Sequence, residues 1–321
     1  MAKLQSTEIV GVANRPATIC SNSVCMWFDT TNTKIVFSYC GYSGAGTWSA
    51  GGAMITARTT LAGAGTQNAG LAMGGADVGV NFSCTEEYDG TIWSAGGSLI
   101  TGRSCVAGAG TQNEGLVVGG LVSSAVAFTE EYNGSSWSTG GALITARYLL
   151  AGAGTQNQGL ATGGFINASP GVSCTEEYNG TSWSAGGVLI TGRWHLAGAG
   201  TQNEGLVVGG FTNVNVGCVE EYNGTSWSAG SILISTRRSL AGAGTQNEGL
   251  VVGGIISSAV ACTEEYNGTS WSVGNALIIA RSVLADAGTQ NAGLAMGGTT
   301  NIAVSCTEEY TKPIVIINCI K

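Results

Sequence analysis

The chain has 321 residues, a formal net charge of −8, 10% charged residues, and 53 glycines against only 3 prolines. Soluble domains ordinarily have about 25% charged residues, so this chain is poor in charge, yet its 44% hydrophobic content is too high for intrinsic disorder. Its acidity argues against nucleic acid or an anionic membrane as a partner. No apolar run approaches the roughly 18 residues that span a bilayer. The sequence also does not begin with a basic segment followed by an apolar one. We therefore expect neither membrane insertion nor a signal peptide.

The sequence is a tandem repeat with a period of 44 to 46 residues. One tryptophan marks each copy: Trp48, Trp93, Trp137, Trp183, Trp227 and Trp271. In each full copy an apolar run ends in a glycine doublet, and a Glu-Glu-Tyr follows it, as at Gly253-Gly254 and Glu264-Glu265-Tyr266. Such regular self-similarity indicates one supersecondary unit per copy, stacked against its neighbours.

Each copy predicts four short strands. In chain order these are LAGAG, a buried run such as GLVVGG, a segment such as AVACTEEY, and TSWS. A Thr-Gln-Asn turn separates the first two, and an Asn-Gly pair, a strong hairpin signal, separates the last two. No helical stripe of apolar residues is sustained. Four antiparallel strands in about 45 residues are typical of a β-propeller blade.

The repeat resembles the kelch repeat of β-propellers. The residues that carry the resemblance are, in one copy, Arg237, the doublet Gly253-Gly254, Tyr266 with its preceding glutamate, and Trp271. The resemblance covers residues 58–310 in six consecutive copies. It implies an all-β protein made of one propeller of four-stranded antiparallel blades. It says little about activity, because kelch proteins include oxidases, epimerases and pure binding modules.

The blade count is open between seven and six. Dividing the length of the chain by the repeat period favours seven blades. Residues 1–57 would then be a degenerate first blade, 58–310 six clear repeats and 311–321 a closing strand. All of them would belong to one domain, 1–321. In that arrangement Val24–Phe28 and Ile35–Tyr39 are strands of the first blade, Val315 takes the place of a repeat tryptophan, and Glu8–Val12 is a spare strand. In the alternative, Trp48 supplies the fourth strand of the last of six blades, and residues 1–40 and 311–321 are appendages.

The recurrent residues have mostly structural interpretations. We expect tryptophan, tyrosine and the glycine doublets to pack the seams between blades. One glutamate of each pair should bind the repeat arginine and the other should face solvent. Five cysteines at one repeat position (Cys84, Cys174, Cys218, Cys262 and Cys306) read as reduced packing residues. A weaker hypothesis places the repeat arginines around the central channel as an anion site: Arg58, Arg103, Arg147, Arg193, Arg237 and Arg281.

Comparison of the copies with one another locates a candidate binding face. The loop after the glycine doublet and the two residues after the repeat arginine vary, and both emerge at the same end of a four-stranded blade. The turns at the other end are nearly constant. A uniform scaffold with variable loops on one face is typical of binding proteins. The candidate ligand-binding residues on this face are Tyr148, Phe165, Trp194, His195, Phe211 and Arg238.

These observations predict a binding or structural protein rather than an enzyme. His195 is the single histidine, which excludes metal or catalytic sites that need two imidazoles, and we expect no metal and no cofactor. The glycine-rich, lysine-poor repeats are similar in style to kelch-like propellers of bacteriophage structural and tail-fibre proteins. That resemblance implies a virion component, assembled in the cytosol and then extracellular, whose partners are a host-surface glycan or protein receptor or other virion proteins. The alternative is a cytoplasmic kelch-type protein-interaction module.

Overall fold

A computed structural model describes residues 24–29, 34–42, 44–166 and 171–320, with side chains described for 44–166 and 171–313. All regular elements in these ranges are β-strands. The described residues contain no helix long and apolar enough to cross a membrane. Contacts divide the chain into two units, one from Thr47 to Thr311 and one made of Met1–Gly46 with Lys312–Lys321.

The unit from Thr47 to Thr311 contains six four-stranded antiparallel sheets, each of which is one propeller blade. The strands of blades 1 to 3, from the innermost outward, are Ala62–Thr66, Ala69–Met73, Thr85–Tyr88 and Trp93–Ala95; Ala107–Gly110, Gly115–Val118, Thr129–Tyr132 and Trp137–Thr139; and Ala151–Gly154, Gly159–Thr162, Thr175–Tyr178 and Trp183–Ala185. Those of blades 4 to 6 are Ala197–Gly200, Gly205–Val208, Val219–Tyr222 and Trp227–Ala229; Ala241–Gly244, Gly249–Val252, Thr263–Tyr266 and Trp271–Gly274; and Ala285–Gly288, Ala292–Met296, Thr307–Thr311 and Thr47–Ala50. A small hairpin, Ala76–Asp77 with Val80–Asn81, follows the second strand of blade 1.

Closure of the ring corrects the expectation of seven blades. The outer strand of blade 6 is Thr47–Ala50, with Trp48 opposite Tyr310, so the alternative of six blades is the one the structure has. Val315 was expected to take this position, but Trp48 fills it. The indole ring of Trp48 packs on the ring of Tyr310 at a centroid distance of 4.9 Å. The segment that was predicted to close the ring, Ile314–Ile320, pairs instead with Lys34–Tyr42.

The second unit therefore has a sheet of its own. Its three strands are Val24–Asp29, Lys34–Tyr42 and Ile314–Ile320, in an antiparallel order with Lys34–Tyr42 in the centre. The two runs that were expected to form strands of a degenerate first blade are thus strands, but of this sheet. The predicted spare strand at Glu8–Val12 lies outside the described residues.

The inner strands pack so closely that glycine is required in most of them. A Cβ on Gly152 would lie 2.5 Å from the carbonyl oxygen of Gly108 in the neighbouring blade, and one on Gly63 would lie 2.3 Å from that of Asp286. Farther out, each seam is filled by buried side chains of two blades, such as Leu71 and Met73 against Tyr132. The seam role expected for the aromatic residues is confirmed.

Polar bonds also cross every seam. The hydroxyl of Tyr132 donates to Oε1 of Glu87 in the preceding blade at 2.5 Å, and the indole N–H of Trp137 donates to the hydroxyl of Thr85 at 3.0 Å. The tyrosine bond recurs around the whole ring, in the pairs Tyr88–Glu309, Tyr178–Glu131, Tyr222–Glu177, Tyr266–Glu221 and Tyr310–Glu265. The expectation that the second glutamate of each pair faces solvent is wrong, because that glutamate accepts the tyrosine hydroxyl.

Candidate functional site

The two variable segments of each blade meet at one end, as the repeat comparison predicts. The first residue after the repeat arginine forms an antiparallel bridge with the first residue after the glycine doublet. In blade 3 the pair is Tyr148 and Phe165, and in blade 4 it is Trp194 and Phe211. The corresponding pairs elsewhere have smaller or aliphatic members: Thr59 with Ala76, Ser104 with Leu121, and Ser282 with Thr299.

Four of the candidate residues form a continuous aromatic row, which we call the aromatic ladder (Tyr148, Phe165, Trp194 and Phe211). The rings of Tyr148 and Phe165 meet edge to face at 5.6 Å. Phe165 then contacts Trp194 of the next blade at 5.0 Å, and Trp194 meets Phe211 edge to face at 5.2 Å. Centroid distances of 4.5–7 Å are favourable for aromatic pairs. The ladder therefore joins blades 3 and 4 across their seam.

Trp194 supports the ladder rather than presenting a free face. It is only 9% exposed, whereas Tyr148, Phe165 and Phe211 are half-buried. The indole fits because residue 171 is glycine: a Cβ there would lie 2.5 Å from Cε3 of Trp194. Sequence reasoning missed Gly171, although its position is occupied by Asn or Ala in the other copies. The exposed part of the ladder thus belongs to the other three rings.

Arg238 of blade 5 ends the ladder. Its guanidinium carbon lies 4.6 Å from the centroid of the Phe211 ring, within cation–π distance. One terminal nitrogen donates to the side-chain oxygen of Asn215 at 2.7 Å. Asn215 in turn donates to the carbonyls of Ile255 and Ile256. Asn215 was not among the predicted site residues; it holds the arginine in place.

His195 lies beside the ladder, at the mouth of the channel. Its Nδ1 is 3.0 Å from the hydroxyl of Ser239. Burial, and then the charge of Arg238, lowers the pKa of His195 to about 4. The imidazole is therefore neutral at neutral pH. The predicted cluster of aromatic residues, histidine and arginine is brought together.

The mouth of the channel is a shallow cavity of about 80 Å³. Its rim has six residues of positive φ, one per blade: Thr60, Cys105, Leu149, His195, Ser239 and Val283. The backbone N–H of each donates to the carbonyl of its neighbour, so that six bonds close a ring around the axis. Such a backbone is unusual for residues other than glycine. The cyclic bonds keep the strained conformation and hold His195 at a fixed position.

The repeat arginines do not line the channel. All six are fully buried, and each pairs with the first glutamate of the repeat doublet, as in Arg58–Glu86 at 3.2 Å. The other pairs are Arg103–Glu130, Arg147–Glu176, Arg193–Glu220, Arg237–Glu264 and Arg281–Glu308. The predicted pairing of arginine with glutamate is confirmed. The anion site predicted for Arg58, Arg103, Arg147, Arg193, Arg237 and Arg281 has no support, because these side chains expose no surface to an ion in the channel.

The cysteines of the described blades are free thiols. They are Cys84, Cys105, Cys174, Cys218, Cys262 and Cys306, and all are half-buried rather than fully enclosed. Burial raises the pKa of the Cys105 and Cys174 thiols. Both are therefore poor nucleophiles at neutral pH. The side chains of Cys20, Cys25, Cys40 and Cys319 lie outside the described part.

Comparison with known proteins supports the fold alone. The chain is similar to a solved structure described as "Structure of YjhT", with a TM-score of 0.69, 12% sequence identity and coverage of 83% of this chain and 99% of that chain. No family model matches the chain, and no curated protein matches it. At such low identity the likeness establishes a β-propeller and does not transfer an activity.

Proposed function

We propose that this protein is a non-enzymatic binding module whose variable face takes up a glycan at the aromatic ladder. The observation that carries the proposal is the confinement of four mutually packed aromatic residues to blades 3 and 4 of a ring whose other blades are nearly the same in sequence. Packing the blade seams does not require these rings, because blades 1, 2 and 6 close with small or aliphatic residues at the same positions.

The ladder has the physical properties of a sugar platform. Its rings fix each other's orientation, so that a ligand pays little to order them. Tyr148, Phe165 and Phe211 are half-buried and present part of each ring to solvent. The C–H face of a pyranose can bury apolar area against such rings, while its hydroxyls remain in water.

A glycan array tests the proposal, with Tyr148→Ala/Phe165→Ala compared with the wild type. Leu121→Ala is the matched control, because Leu121 has the bridge position of Phe165 in blade 2. We expect the double variant to lose binding at least tenfold and the control to keep it. Retention of full binding by the double variant, with both variants folded by circular dichroism, contradicts the proposal.

A second candidate function, protein docking, is favoured by a ring of exposed isoleucines. Each blade has one isoleucine, 55–63% exposed, on the connection that leaves an outer strand: Ile55, Ile100, Ile144, Ile190, Ile234 and Ile278. Exposed apolar side chains that recur at one position of every blade offer a protein partner apolar area to bury. Substituting Ile144 and Ile190 with serine separates the two candidates, since it should weaken protein docking and leave glycan binding unchanged.

The proposal has two further parts: the repeat is of the kelch type, and the protein is a component of a virion. The kelch assignment is supported by the positions of the shared residues, with glycine doublets of positive φ after each second strand and Tyr–Trp pairs in each full blade. The virion assignment is supported by the glycine-rich, lysine-poor composition of the repeats, which resembles that of bacteriophage propellers. Binding of the purified protein to intact bacterial cells, with loss in the Tyr148→Ala/Phe165→Ala variant, is the expected result for a host-recognition role.

A further inference from the structure

Arg238 differs from every other arginine whose side chain the structure describes. Six repeat arginines are buried and paired with glutamate, whereas Arg238 is half-buried and pairs with no described carboxylate. In a chain of net charge −8, this is a cation left without a counterion on the variable face. We propose that Arg238 and the neighbouring ladder form a subsite for a carboxylate-bearing sugar, such as a uronic acid. This inference rests on the proposed glycan function and names its ligand class.

The guanidinium is held in place before any ligand arrives. Its central carbon lies over the Phe211 ring, 4.6 Å from the ring centroid, and Asn215 accepts one N–H at 2.7 Å. Among the described residues, no acceptor takes its Nε or its other terminal nitrogen. A fork of N–H groups is therefore available to the two oxygens of a carboxylate, the geometry in which arginine binds that group most strongly.

The surroundings favour a single negative charge. His195, whose imidazole is affected by the charge of Arg238, is neutral because burial and that charge lower its pKa to about 4. It therefore neither repels nor neutralises the arginine. Phe211 contacts both Trp194 and Arg238, so the apolar and cationic parts of the subsite are contiguous. A sugar that packs its C–H face on the ladder would have a ring substituent within reach of the guanidinium.

Calorimetric titration with two matched oligosaccharides tests the subsite: oligogalacturonate and the same chains after reduction of their carboxyl groups. We expect the wild type to bind the acidic form at least tenfold more tightly, a factor that corresponds to about 1.4 kcal/mol, and to lose this preference as salt is raised. Arg238→Gln should bind both forms equally, at the affinity of the wild type for the reduced form. Arg238→Lys should keep part of the preference, and Ser282→Ala, the equivalent position of blade 6, should keep all of it.

The outcomes separate this inference from the proposed function. Equal binding of the two forms by the wild type, or an unchanged preference in a folded Arg238→Gln variant, overturns the acidic subsite and leaves the glycan proposal intact. Absence of binding to both forms, together with a blank glycan array, overturns both. Thermal melts of each variant confirm that any lost preference does not come from unfolding.

Discussion

Asp286 is the residue at which the ring departs most clearly from its own repeat. The other five blades have glycine at this inner-strand position: Gly63, Gly108, Gly152, Gly198 and Gly242. The Oδ2 atom of Asp286 is buried and has no hydrogen-bond partner. Burial raises the pKa of this carboxyl well above its ordinary value, against a weaker opposing effect of the Gly242 N–H. An ionised carboxylate here destabilises the fold.

We therefore expect Asp286→Gly to stabilise the protein at neutral pH by about 1–3 kcal/mol, the cost of an unsatisfied buried polar group. The folded pKa lies above the unfolded value, so the wild type is most stable below the ordinary aspartate range and loses stability as the pH rises through the raised pKa. The variant should lack that loss. Denaturant titrations from pH 3 to pH 8 measure it, with Asp89→Asn, at an exposed turn, as the control. Equal pH profiles for Asp286→Gly and the wild type would contradict the assignment.

At the scale of the element, each blade is fastened to its connection by a buried ion pair. Glu130 accepts the guanidinium of Arg103 and the backbone N–H groups of Ile100 and Thr101. One carboxylate thus orders the connection between two blades and neutralises a fully buried charge. Removing one member of such a pair leaves the other charge uncompensated.

Glu130→Gln should accordingly destabilise the fold by about 3–5 kcal/mol, the usual cost of breaking a buried pair. Glu114→Gln, at an exposed turn of the same blade, should change stability by less than about 0.5 kcal/mol. Urea unfolding measures both. A loss below about 1 kcal/mol in Glu130→Gln would show that the pair does not hold the connection.

The tyrosines of the seams predict alkaline unfolding. Burial, and then the hydrogen bond to a glutamate of the neighbouring blade, raises the pKa of Tyr88, Tyr178, Tyr222 and Tyr266 to about 12. The unfolded value is about 10, so the stability that these bonds contribute is full below about pH 10 and is lost between about 10 and 12. Phenolate absorbance at 295 nm should rise together with loss of structure. Ionisation of Tyr88, Tyr178, Tyr222 and Tyr266 near pH 10 in a still folded protein would be inconsistent with these seams.

The repeat pattern correctly predicted the strands of each blade, but it favoured the wrong strand for closing the ring. The strands around Leu250 and Tyr266 follow from an apolar run and an Asn-Gly turn, which are local signals. The closing strand depends on whether Trp48 or Val315 reaches Tyr310, and both have a suitable side chain at a suitable distance along the chain. The candidate cluster was found from variation among copies. The hydrogen bond between Arg238 and Asn215, and the space that Gly171 leaves for Trp194, were not found in this way. Each depends on a contact between neighbouring blades.

At the scale of the whole molecule, the ring is closed by a strand from the beginning of the chain. Trp48 makes the seam hydrogen bond of a tryptophan inside a blade: its indole donates to the hydroxyl of Thr263 at 3.0 Å, as that of Trp137 does to Thr85. The two strands should therefore matter equally for stability. We expect Trp48→Ala and Trp137→Ala each to cost about 3–5 kcal/mol in chemical denaturation. A small loss in Trp48→Ala beside a large one in Trp137→Ala would contradict a six-bladed closure.

A nearly uniform ring with one ligand sector should show a local response to the ligand, which NMR of the tryptophan indoles can measure. The chain has 8 tryptophans, of which six occupy equivalent seam positions and Trp194 belongs to the ladder. On titration with oligogalacturonate, we expect the Trp194 signal to shift and to saturate at one equivalent, while the seam signals stay in place. Shifts of similar size at the seam tryptophans, or binding that leaves Trp194 unmoved, would contradict the claim.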